Sequence, residues 1–71
     1  METFIPIVDK DVCIRAREIS GLSRRDFANL LLVSYDTVRR WEKGKRLPGG
    51  LASRVIELIT VEPKILELLK R

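Results

Sequence analysis

The chain has 71 residues and a formal net charge of +4, with 45% apolar and 34% charged residues. A chain this short forms one small domain that buries only about 60% of its unfolded surface, and its composition is too apolar for a disordered tail. With one cysteine and no histidine, an internal disulfide, a zinc site and Cys-His or Ser-His catalysis are all excluded, so no metal or cofactor is expected.

Residues 1–9 hold Phe4, Ile5, Ile7 and Val8 around Pro6. A proline disfavours helical geometry in the residue before it, so this stretch reads as an extended, packed N-terminal arm. Glu2 and Asp9 stand where a secretion signal would have a basic start and a long apolar stretch. The longest apolar run, Leu30-Leu31-Leu32-Val33, is far below the roughly 20 residues of a membrane span. A cytoplasmic protein is expected.

The remainder, residues 10–71, reads as one all-α domain of five helices. The first covers residues 10–20, where Val12, Ala16 and Ile19 recur at i, i+4, i+7 with Cys13 beside them, and Gly21 stops it. The lone Cys13 reads as a buried structural thiol. Ser23 is an N-cap for a second helix, with Asp26 three residues on and Phe27, Ala28 and Leu31 on its inner face. That helix ends near Leu31. Ser34 caps a third, which turns Val38 and Trp41 inward and stops at Gly44. Residues 47–50 form a turn. A fourth helix spans residues 50–60 with two adjacent apolar stripes, and a fifth opens with Pro63 at its first position and runs to Lys70.

Charge is concentrated in one place. Residues 39–46 hold five basic side chains and one acid, so they carry the whole +4 and the rest of the chain is balanced. A neutral body with one basic stretch is the footprint of a protein that docks on phosphate. Two short helices separated by a three- or four-residue turn, the second basic on its outer side, make a helix-turn-helix. In that arrangement the second helix lies in the DNA major groove, about 12 Å wide, and the first crosses the backbone.

The sequence Gly21-Leu22-Ser23-Arg24-Arg25-Asp26-Phe27-Ala28-Asn29-Leu30-Leu31, then Val33-Ser34, Thr37-Val38 and Trp41-Glu42-Lys43-Gly44-Lys45-Arg46-Leu47-Pro48, resembles the Cro/C1-type (XRE) helix-turn-helix family. Its nearest branch is the HigA- and MqsA-type antitoxins. The resemblance runs from about Asp11 to Leu69 and implies a compact, lambda-repressor-like fold of five helices. It also implies roles for matching residues. Tyr35, Asp36, Arg39 and Arg40 would read bases, and Ser23, Arg24, Ser34, Thr37, Lys43, Lys45 and Arg46 would hold phosphates. The family pairs the glutamate at Glu42 with an arginine on the first helix, where this chain has Arg17. Where the family often has a glycine with positive φ, this chain has Leu32, at a steric penalty on the order of 1 kcal/mol.

These features predict a sequence-specific repressor on a palindromic DNA operator, in the favoured version an antitoxin that represses its own operon. Its partner toxin would be, by the same resemblance, a small ribonuclease. The alternatives are a phage or chromosomal regulator without a toxin, and an interaction module that keeps the fold without binding DNA. An enzyme is not expected, because Glu18, Asp26, Glu57 and Glu67 show no paired spacing that would share a cleft. The predicted core of Val12, Ala16, Ile19, Phe27, Leu31, Val38 and Trp41 leaves the last two helices with surplus apolar side chains. This predicts a homodimer through Ile65, Leu68 and Leu69.

Overall fold

The computed structural model describes residues 8–70. Among them the regular structure is entirely helical: α1 (Lys10–Ser20), α2 (Arg24–Leu31), α3 (Tyr35–Glu42), α4 (Gly50–Val61) and α5 (Ile65–Leu69). Residues 1–7, most of the expected arm, lie outside the described residues. Val8 is within them, and it is buried in the core.

Each of the first three helices starts on a side-chain oxygen that accepts from a backbone amide otherwise left without a partner. Asp9 Oδ1 accepts from Val12 N at 3.0 Å, Ser23 Oγ from Asp26 N at 3.1 Å and Ser34 Oγ from Thr37 N at 3.1 Å. The ends of α2 and α3 repeat one motif. Val33 N bonds Ala28 O at 3.0 Å, and Lys45 N bonds Arg40 O at 2.9 Å. Both bonds span a residue in left-handed geometry, Leu32 at φ 59° and Gly44 at φ 73°. Glycine carries no Cβ to clash there, and leucine does.

The core is formed by Val8, Cys13, Ala16, Phe27, Ala28, Val38, Trp41, Ile56, Ile59 and Leu66. α1 packs chiefly against α4, while α2 and α3 pack on each other and both touch α1. The buried stripe of α1 is Cys13, Ala16 and Ser20, not Val12, Ala16 and Ile19. Ile19 is 36% exposed, and Val12 and Leu31 are only half-buried. Contact with α4 sets the rotation of α1, and Ser20 tolerates burial because its hydroxyl donates to Arg17 O at 2.6 Å and accepts from Leu22 N at 3.3 Å.

The fifth helix is shorter than its sequence pattern implies. Glu62 leaves helical geometry at φ −137°, ψ 84°. Ile65, Leu66 and Glu67 then bond three residues back, to Glu62, Pro63 and Lys64. Pro63 therefore opens a tight 3₁₀-like turn, and the α-helix proper begins at Ile65. α4 ends one residue later than expected, at Val61.

Candidate nucleic-acid interface

The orientation of α3 is fixed from its inner side. Val38 is 0% exposed and Trp41 3% exposed, both in the shared core. Glu42, next in sequence, is a buried carboxylate held by two other helices at once. Arg17 of α1 donates from Nε to Oε2 at 2.7 Å and from Nη2 to Oε1 at 3.3 Å. Arg24 of α2 donates from Nε to Oε1 at 2.9 Å. Arg17 Nη1 also reaches Leu22 O at 3.3 Å, tying the α1–α2 connection into the same cluster. A carboxylate this far from water is tolerable because cationic donors satisfy both oxygens. The sequence pairs Glu42 with Arg17 only through resemblance, and it gives no signal for Arg24 as the second partner.

With that side turned inward, Tyr35, Asp36, Arg39 and Arg40 share the outer surface of α3. Asp36 lies between the two arginines. Its Oδ1 accepts from Arg39 Nη2 at 2.6 Å and Nε at 3.1 Å, and its Oδ2 accepts from Arg40 Nε at 2.8 Å. The guanidinium of Arg39, then that of Arg40, holds the Asp36 carboxyl below the usual carboxylate range. Tyr35 is exposed, and the Arg25 guanidinium sits over its ring at 5.5 Å from the centroid. Arg24, Arg25 and Tyr35 line a shallow open depression with Arg17, Ser23 and Asp26. Hydrogen bonding to Glu42, then to Tyr35, raises the pKa of Arg24 above its ordinary value.

The residues expected at phosphates fall into three groups around α3. Ser23 and Arg24 stand at the start of α2, and Ser34 and Thr37 at the start of α3, where their hydroxyls share a 2.7 Å hydrogen bond. Lys43, Lys45 and Arg46 are exposed just after α3. The hydroxyls of Ser23 and Ser34 already cap their helices, and the Arg24 Nε is engaged with Glu42.

The three residues expected at a dimer contact differ in exposure. Leu68 is 64% exposed, whereas Ile65 and Leu69 are partly buried against the core. Leu69 instead lines a groove with Leu30, Leu31, Leu32, Val33, Leu51, Ala52 and Val55. The groove carries two nearly bare leucines, Leu32 at 92% and Leu51 at 82% exposure.

A tight turn between two short helices, the second anchored inside and cationic outside, defines a helix-turn-helix DNA-binding module. The helix-turn-helix family matches residues 14–66, and the chain belongs to that family, in its XRE-type branch. Those residues form that family's helix-turn-helix domain. Over 59 residues it is 34% identical to antitoxin HigA-2 of Vibrio cholerae serotype O1 (strain ATCC 39315 / El Tor Inaba N16961), an alignment covering 83% of this chain and 57% of that protein. The chain thus spans little more than half the length of that relative. No helix among the described residues is long and apolar enough to cross a membrane.

Proposed function

We propose that the chain is a sequence-specific transcriptional repressor whose α3 enters the major groove. Tyr35, Asp36, Arg39 and Arg40 face the base edges, while Ser23, Arg24, Ser34, Thr37, Lys43, Lys45 and Arg46 lie along the phosphates. The observation that carries this reading is the inward anchoring of α3 by Val38, Trp41 and Glu42, which leaves the opposite, cationic side free for DNA. Selection of bound duplexes from a randomised pool tests it. The reading requires one enriched motif, and an unenriched pool would refute it.

Similarity to antitoxin HigA-2 supports a finer version: the antitoxin of a type II pair that represses its own operon in the cytoplasm and binds a toxin, by resemblance a small ribonuclease. Growth rescue and co-purification with the product of the adjacent reading frame test that version. Operator affinity calls for two copies, since one small domain makes few contacts. A homodimer on a palindrome, joined through α5 around Ile65, Leu68 and Leu69, would set two recognition helices roughly 34 Å apart.

A further inference from the structure

We propose that Asp36 is a specificity-determining residue that acts through Arg39 and Arg40, holding both guanidinium groups back from DNA that offers them only phosphate. This rests on the reading of α3 as the recognition helix.

The geometry is that of one carboxylate shared by two cations on successive positions of the same helix face. Asp36 bonds Arg39 through one oxygen at 2.6 Å and 3.1 Å and Arg40 through the other at 2.8 Å, so both oxygens are occupied. All three side chains remain accessible, at 51% for Asp36, 33% for Arg39 and 53% for Arg40. The pairs are therefore screened and reversible. An arginine that leaves Asp36 for a backbone phosphate exchanges one anion for another and strands a carboxylate against the negative duplex. The exchange gains little. At a G·C pair the balance differs, because guanine N7 and O6 accept a guanidinium in bidentate fashion and the cytosine amino group offers the released carboxylate a donor. Asp36 thus lowers affinity for arbitrary DNA more than for the cognate site. It also keeps Arg39 and Arg40 from acting as free cations in the one strongly basic stretch of the chain.

The test compares wild type with Asp36→Asn and Asp36→Ala on a labelled random-sequence duplex and on the duplex selected from a randomised pool, across a salt series. Glu18→Gln on α1 changes net charge equally at an exposed residue outside both α3 and α5. The expected result is that both Asp36 variants bind the random duplex about two- to fivefold more tightly at low salt. Their log–log salt slope should steepen by about one unit as a further phosphate contact forms. The selected duplex should gain less, so the ratio between the two falls, and Glu18→Gln should leave it unchanged. Thermal melts identify any variant that has lost the fold. A gain equal to that of Glu18→Gln, or an equal gain on both duplexes, overturns the inference and leaves DNA recognition standing. Failure of the wild type itself to bind either duplex overturns the recognition-helix reading instead, and the inference with it.

Discussion

Arg17 grips Glu42 at two points across 25 positions of sequence, Nε to Oε2 at 2.7 Å and Nη2 to Oε1 at 3.3 Å. The contact joins the scaffold helix α1 to the end of α3 and keeps a negative charge off the cationic surface. The Glu42 side chain is 1% exposed, whereas those of Arg17 and Arg24 are 24% and 37% exposed. Loss of each member therefore has a different consequence. Arg17→Met strands a buried carboxylate on its weaker partner and should lower the unfolding free energy by about 2–3 kcal/mol. Arg24→Met leaves the two-point contact intact and should cost about 1 kcal/mol. Urea unfolding with an unchanged m-value gives both numbers. No effect from either would show that Glu42 is solvated, and equal losses would show that Arg24 holds it as firmly as Arg17 does.

Leu32 and Gly44 occupy the same place at the ends of α2 and α3, with φ of 59° and 73°. Leu32 buries almost none of its side chain, so nothing offsets its steric penalty within this domain. Leu32→Gly should raise stability by about 0.5 kcal/mol, the relief of left-handed strain less the added freedom of glycine in the unfolded chain. Gly44→Ala should lower stability by about 1 kcal/mol for the backbone alone, since its new Cβ would meet only the flexible Lys10 side chain at 3.4 Å. Opposite signs in thermal melts are the expected outcome.

Cys13 is 1% exposed, and burial, then the charges of Glu42 and Asp9, push its thiol up to about 12. A thiol held neutral in the fold but ionising near 8.5 once unfolded stabilises the native state fully below that pH. Its contribution fades as pH rises from about 8.5 toward 12. Two results follow. The folded protein should resist thiol reagents at pH 8 while the urea-unfolded chain reacts at once, and Cys13→Ala should flatten the fall in melting temperature above pH 8.5. Rapid labelling of the native protein would contradict the burial of this side chain.

Assembly through the C-terminal helix has a direct probe in Leu68, which is 64% exposed. Leu68→Glu should turn a dimer into a monomer by light scattering with little change in the helical signal, since the side chain contributes little to its own core. Leu51→Glu, in the groove beside Leu32, distinguishes the two apolar surfaces. If it abolishes the dimer and Leu68→Glu does not, copies meet through that groove.

Much of this fold was legible because local chemistry decides it. Ser23 and Ser34 announce helix starts three residues before the amides they accept from, and the break between α2 and α3 follows from the second of these caps. The rotation of α1 was not legible. Val12 and Ile19 outrank Cys13 and Ser20 in hydrophobicity, but α4 chooses the face, and the hydroxyl of Ser20 finds partners that a sequence pattern does not reveal. The start of α5 was missed for a similar reason, because Pro63 suits the first turn of a 3₁₀ segment as well as that of an α-helix. At the interface, the i, i+3 and i, i+4 spacing of Asp36 with Arg39 and Arg40 carried its own signal. The meeting of Arg24 with Glu42 and of Arg25 with Tyr35 depends on how α2 and α3 cross, which single-helix periodicity does not encode.

Under the proposed function, α3 reads sequence while the basic segment after it holds the backbone. Binding of Arg39→Ala and Lys45→Ala to the selected duplex and to random duplex, each over a salt series, tests it most directly. Arg39→Ala should weaken the selected duplex by about 1–3 kcal/mol and relax preference at one base pair. Lys45→Ala should weaken both duplexes alike and reduce the salt slope by about one unit. Equal losses on both duplexes from both variants would contradict the division of roles between α3 and the segment that follows it.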